Sequence, residues 1–301
     1  MIVKHIAAAG MALLLAACSG GVDPNLEEDS APRAFGLMSI SYEHQWENSD
    51  DQILFDAGAQ FIRYTALTRQ QVGQLLALPV DPETDLPALD ACQLYDLGSV
   101  DSPQGTEVDS GNIELLEAGT VLVEAGRETI SLAPQHFAGL LPFVSGVIYA
   151  EARGNSTEPA TSVRAAAAGS ESVGSFAVEQ IGSPSLARLG RVAGHGPQKS
   201  IPLQLGRDLT LQWRPSQAEG DLTYIELHLQ GGDPDQVLRC RPNDDGAFTV
   251  NAKQITALGP KAGQTLVLDL ARLRRAFFSA NGLDQGELRV TVTERAAIDL
   301  H

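Results

Sequence analysis

The sequence predicts an all-β protein: two antiparallel β-sandwich-like units with few short helices, behind a signal peptide and a tether. Three observations predict it. Apolar and polar residues alternate at period two through many short runs, Leu209, Leu211 and Trp213 against Thr210, Gln212 and Arg214 being the plainest. Clusters of Gly, Pro, Asp and Ser separate the runs, as turns between strands require. The charge balance also steps sharply along the chain. Residues 35–182 hold 21 Asp and Glu against five Arg and no Lys, a balance of −16, while residues 183–301 hold 13 acids against 14 Lys and Arg. A step of this kind marks two units with different surfaces, and Gly182-Ser183-Pro184-Ser185 is the boundary it suggests. At 301 residues each unit is long enough to bury a core.

The N-terminus carries an address. Lys4 and His5 form a short polar region, and Ile6 to Leu15 is apolar but too short for a permanent membrane span. It ends in Leu15-Ala16-Ala17-Cys18, which resembles the lipobox of bacterial lipoproteins. That resemblance implies cleavage after residue 17, diacylglycerol on the Cys18 sulfur and acylation of the new amine. Several acyl chains on one residue hold a protein stably to a bilayer, where one chain is marginal. Ser19, in place of an Asp, implies sorting to the outer membrane. Residues 19–34 are small, acidic and interrupted by Pro24 and Pro32, so they read as a flexible tether.

In the first unit, residues 35–182, the expected strands are Gly36–Glu43, Gln60–Leu67, Cys92–Leu97, Ile113–Leu116, Thr120–Val123, Glu128–Leu132, Gly146–Ala152, Ser162–Ala168 and Ser175–Gln180. Thr120–Val123 and Glu128–Leu132 flank a turn in which Gly126 can take positive φ, so they read as a hairpin. Thr68 to Leu78 is the helical exception. Thr68 can cap, Gln71 stands three residues on, and Val72, Leu75 and Leu76 repeat at helical spacing.

The second unit, residues 183–301, alternates more cleanly. Ile225, Leu227 and Leu229 oppose Glu226, His228 and Gln230, and Leu238 and Cys240 oppose Arg239 and Arg241. Phe248 with Val250, Leu266 with Leu268 and Leu270, and Leu288 with Val290 and Val292 continue the pattern. Asn243-Asp244-Asp245-Gly246 is an expected turn, and Asn251–Leu258 one or two helical turns. Ala271–Ala280 is expected to be a further helix, with Leu273, Ala276 and Phe277 on one face and Arg272, Arg274 and Arg275 solvated. Nine Phe, five Tyr and two Trp are too few for the aromatic girdles of a membrane barrel.

The order of features is familiar. A lipobox precedes an all-β unit with the internal cysteine Cys92, an Ala118-Gly119 turn, and a closing Gly174-Ser175-Phe176. Then come Thr210-Leu211-Gln212-Trp213, Leu238-Arg239-Cys240 and Asp244-Asp245-Gly246-Ala247-Phe248-Thr249-Val250. This order resembles uncharacterised predicted lipoproteins common in myxobacteria, over most of the mature chain. The resemblance implies the compartment and the β architecture, and it brings no activity or functional residue with it.

Candidate chemistry is sparse. A net charge of −17 excludes electrostatically driven nucleic-acid binding. Cys92 and Cys240 have two readings: a disulfide stapling the units in an oxidising envelope, or a reduced Cys240 buried as a small hydrophobe, which the alternation favours. No histidine pair has zinc spacing, and no Gly-x-Ser-x-Gly elbow occurs. No cofactor is expected beyond the lipid on Cys18; calcium is an alternative use of Asp81, Glu83, Asp85 and Asp90, or of Asp233 and Asp235, though neither loop has EF-hand spacing. Tyr42 and Trp46 are the aromatics that could stack on a glycan, core burial being the other reading for each. The function expected is therefore non-catalytic binding or a structural role in the envelope, with a protein or glycan as partner. The rivals are a hydrolase of envelope polymers, using paired carboxylates of the acidic unit, and an assembly or chaperone-like factor with an open strand edge.

Overall fold

A computed structural model describes residues 31–45, 53–98, 112–141, 144–149, 152–216 and 218–301. These residues are mostly strand, with two short helices, and no sheet closes into a barrel. In chain order the elements begin with β1 (Arg33–Gln45), β2 (Ile53–Thr65), α1 (Arg69–Leu75), β3 (Ala91–Asp96), β4 (Asn112–Leu115), β5 (Val121–Ala125) and β6 (Glu128–Leu132). There follow β7 (Pro134–Leu141), β8 (Val144–Tyr149), β9 (Ala152–Ser156), β10 (Val163–Ala167), β11 (Phe176–Ile181), β12 (Leu189–Val192) and β13 (Ile201–Leu203). The remainder are β14 (Leu209–Trp213), β15 (Leu222–Leu229), β16 (Gln236–Arg241), β17 (Ala247–Val250), α2 (Ala252–Thr256), β18 (Thr265–Phe278) and β19 (Gln285–Leu300).

One large sheet spans the molecule, in the order β3-β16-β15-β18-β19-β1-β2-β4-β8-β7, with β13 on β19 and β9 on β2. Two small sheets cover one face of it: β11-β10-β5-β6 at one end and β12-β14-β17 at the other. Each overlay buries its own core. Beneath the first lie Met38, Ile40, Phe61, Val123, Val178, Leu288 and Val290. Beneath the second lie Leu209, Leu211, Trp213, Leu227, Leu268, Ile298 and Leu300. Even-numbered residues of β19 point into both cores, Leu288, Val290 and Val292 into one and Ala296, Ile298 and Leu300 into the other. A 16-residue strand, about 50 Å long at the usual rise, reaches both. Phe176 stacks on Phe278 at 4.2 Å between ring centres and ties the first overlay to the large sheet.

The boundary expected near residue 182 does not divide the sheet, and the first core takes in Phe278, Leu288, Val290 and Val292 from beyond it. β1 lies between β2 and β19 and runs parallel to β19, from Phe35 opposite Gln285 to Gln45 opposite Arg295. β3 pairs with β16. The expected all-antiparallel pairing is therefore mixed, since β13 on β19 and β4 on β8 are also parallel. The first strand starts at Arg33, inside the expected tether.

Local signals hold where chemistry was local. Thr68 and Gln71 form a complete capping box on α1, and Asn251 and Gln254 do the same on α2. β5 and β6 form the expected hairpin, Gly126 at φ 64°. The helix expected at 271–280 is absent. That segment is the second half of β18, paired with β19 throughout, so Leu273 and Ala276 fall on opposite faces. Long-range pairing overrides a weak helical spacing there. On the other face of the large sheet α1 packs on Phe35, Leu37, Ile62 and Tyr64, and the chain after it packs on Tyr224, Ala271 and Leu273.

Candidate functional site

The two cores meet along a polar seam. Arg272 stands on the overlay face of β18, in line with Leu266, Leu268 and Leu270, and is 0% exposed. A guanidinium there must find partners for five N–H donors. Its Nε and Nη2 donate to both oxygens of Asp244, each at 3.0 Å. Nη1 donates to the carbonyls of Ser185 and Leu186 and to Ser185 Oγ. Nη2 also donates to the Arg214 carbonyl. Asp244 accepts further bonds from Trp213 Nε1 at 2.5 Å, Thr223 Oγ1 at 2.9 Å and the Ser216 N–H at 3.1 Å. Burial alone would raise the Asp244 pKa, but the hydrogen bonds from Arg272, Trp213 and Ser216 outweigh it and hold the carboxyl below its ordinary value.

Glu294 is the second acid of the seam and, unlike the half-buried Asp244, is fully buried, 3% exposed. It accepts the Leu189 N–H at 2.6 Å, and its other oxygen lies 3.6 Å from His44 Nδ1. Burial raises its pKa, opposed by that N–H and by the charges of His44, Arg188 and Arg272. Together these groups clamp the connecting segment 183–189 to the large sheet. The Arg274 guanidinium completes the clamp, bonded to Asp221 at 2.8 Å and to the Gly182 carbonyl at 3.0 Å.

Above the seam opens a cleft of about 660 Å³ between the two overlays. Thr161 and Glu158 line one wall, Ser185 and Arg188 the clamped segment, and Arg214 and Ser216 the other wall. The opposite face of the large sheet carries ion pairs instead. Arg289, almost wholly buried, bonds Glu287 at 2.7 Å and Asp81 at 3.0 Å, and Arg69 bonds Asp81 at 2.8 Å. Burial would lower the Arg289 pKa, but Glu287 and Asp81 raise it above its ordinary value. Asp81 moves down for the matching reason: Arg289, the Glu83 N–H and Arg69 outweigh its burial. Arg295 holds Asp269 bidentately at 2.7 and 2.8 Å and reaches Glu43 at 2.9 Å.

The residues singled out from the sequence fall as follows. Cys18 and Trp46 lie outside the described residues. Tyr42 is a core residue, 2% exposed and tilted against Phe55 at 5.2 Å, so it has no ring face for a glycan. Its place on the inward face of β1, between Ile40 and the first overlay, is the reason. Cys92 and Cys240 are opposite each other across β3 and β16 and form a disulfide. This overturns the reduced Cys240 that the alternation favoured: β3 pairs with β16 in a register that sets the two cysteines opposite each other, even though Cys240 is fully buried as that reading expected. In the acidic loop, Asp81 is bonded to arginines and to the Glu83 N–H, Asp85 to the Asp81 N–H, and Glu83 to Arg275. Among the described residues no three His, Cys, Asp or Glu are grouped to hold a metal ion. The Arg272 side chain, expected on a solvated helix, is the most enclosed in the seam. The missed signal was its spacing from Leu266, Leu268 and Leu270, which puts a charge on an apolar strand face.

No protein-family model and no curated protein matches the chain. Among the described residues no helix is long and apolar enough to cross a membrane.

Proposed function

We propose that this protein is a lipoprotein of the cell envelope, held to a membrane, and by Ser19 to the outer one, through acyl chains on Cys18. Its β body acts there as a non-catalytic binding module. Leu15-Ala16-Ala17-Cys18 supports the anchor. The observation that carries the binding reading is the cleft over the seam: its floor is clamped by buried hydrogen bonds while its rim keeps charged side chains facing outward. A preordered floor lowers the entropy cost of binding. Labelled palmitate should be incorporated by the full chain and lost on Cys18→Ala. Pulldown from envelope extracts should recover a partner; recovery of none, together with turnover of a substrate by the purified protein, would overturn the binding reading.

A hydrolase of envelope polymers is the second reading, and Glu294 is what favours it. This is a buried carboxyl with its proton favoured by burial, beside an imidazole. Release of soluble fragments from purified envelope polymer, abolished by Glu294→Gln, would establish it.

A further inference from the structure

Arg188 and Arg214 are the unusual pair of the cleft. The β12–β14 register places Leu189 opposite Trp213, so the next residue outward on each strand is an arginine. The Arg214 N–H donates to the Ala187 carbonyl at 2.8 Å, which fixes the two backbones side by side there. Both side chains are exposed, both line the cleft, and neither makes an ion pair within 4.0 Å among the described residues. Like charges held side by side just beyond paired strand ends repel, and the one acid that acts on Arg188 from within is the buried Glu294 beneath it. They stand in a chain of net charge −17, so the local sign is opposite to the global one.

The backbone under Arg188 is not relaxed. Arg188 has φ 50°, left-handed for a residue with a bulky side chain. The conformation is held by the Leu189 N–H on Glu294 and by Arg272 on the Ser185 and Leu186 carbonyls. Strain that the surroundings enforce in this way collects at ligand sites. The volume, about 660 Å³, is in the range of small-molecule sites. Thr161 brings a hydroxyl to the facing wall and Pro215 an apolar ring, while the Ser216 hydroxyl already donates to Asp221 and the Ser185 hydroxyl already accepts from Arg272. Glu158 on the far wall can accept hydrogen bonds from neutral hydroxyls but repels a second anion.

We propose that this cleft binds an acidic sugar chain, with one oxyanion of the ligand bridged by Arg188 and Arg214 and its hydroxyls received by the facing wall. This deepens the binding reading and rests on it. Guanidinium recognises phosphate and carboxylate alike through parallel N–H bonds, so the sugar's charged group is either of these.

The test is calorimetric titration of the full chain in detergent with four probes: an oligogalacturonate, a sugar phosphate, inorganic phosphate and a neutral oligosaccharide of equal length. Binding of either charged sugar is expected, with the stronger arm identifying the anion, and with affinity falling as salt rises. Arg188→Asn and Arg214→Gln should each weaken that binding at least tenfold. Asn tolerates the left-handed backbone at 188, and Arg214→Gln relieves the repulsion, so the unbound melting temperature of the Arg214 variant should not fall, while Arg188→Asn gives up its attraction to Glu294 and should still unfold cooperatively. Binding that is unchanged in both variants, or equal for the neutral chain, would overturn the proposal. Inorganic phosphate binding as tightly as the sugar phosphate would overturn its sugar part. If no probe binds while an envelope partner is still recovered by the double variant, this site is wrong and the binding reading stands.

Discussion

At the scale of single residues, the seam depends on one guanidinium. Arg272→Met removes it while nearly keeping its length, leaves Asp244 with its neutral donors but no counter-charge, and leaves three backbone carbonyls without their Arg272 donor. Breaking one side of a buried pair typically costs about 3–5 kcal/mol, and urea unfolding of the variant should show a loss of that size. The two acids of the seam, Asp244 half-buried and Glu294 buried, have opposite pH signs. The Asp244 pKa is lower folded than unfolded, so its contribution is present above the ordinary value of 3.8 and is lost as pH falls through the folded value. The stability gap between the native chain and Asp244→Asn should therefore shrink in acid. Glu294 is raised, so its contribution is full below 4.5 and lost as pH rises through the folded value. Glu294→Gln keeps an acceptor for the Leu189 N–H, and its stability relative to the native chain should improve as pH rises above 4.5. Thermal unfolding across a pH series measures both; a gap that stays flat for Glu294→Gln would remove this account of Glu294.

At the scale of elements, the edge strand β3 is the informative case. It caps one end of the large sheet and is held by its ladder on β16 and by the Cys92–Cys240 bond, which links residues 148 apart. Closing so long a loop restricts the unfolded chain, and its loss typically costs about 2–5 kcal/mol. The Cys92→Ala, Cys240→Ala double variant should unfold at correspondingly lower denaturant, with β3 amides exchanging hydrogen before those of β15 or β18. The helices and the β5–β6 hairpin were legible because cap and turn chemistry acts within a few residues. β18 was legible only in its first half. Leu266, Leu268 and Leu270 alternate visibly, but Arg272 and Arg274 continue the inward face with charges, so the apolar pattern stops where the seam begins.

At the scale of the whole molecule, the charge step along the sequence acquires an internal meaning. Acids of the N-terminal part are met by arginines of the C-terminal part: Asp81 by Arg289 at 3.0 Å, Glu83 by Arg275 at 3.1 Å and Glu43 by Arg295 at 2.9 Å. The long shared strands make the same point, because β1 has β19 as one of its two neighbours. Residues 31–182 expressed alone would leave β1 with an open edge and lose the Leu288, Val290 and Val292 side of the first core. That fragment should fail to give a dispersed amide spectrum, whereas residues 31–301 should give one. A folded fragment would show that the sheet is two sheets in contact.

The sequence by itself determined the β class, the faces of most strands, the caps and the turns, because each depends on neighbours within a few residues. Only the tertiary structure decided that β1 pairs with a strand some 250 residues away, that Arg272 is enclosed, and that Arg188 and Arg214 stand side by side. Strand partners and charge partners are chosen by long-range packing, and period-two alternation says which way a side chain points without saying what it meets.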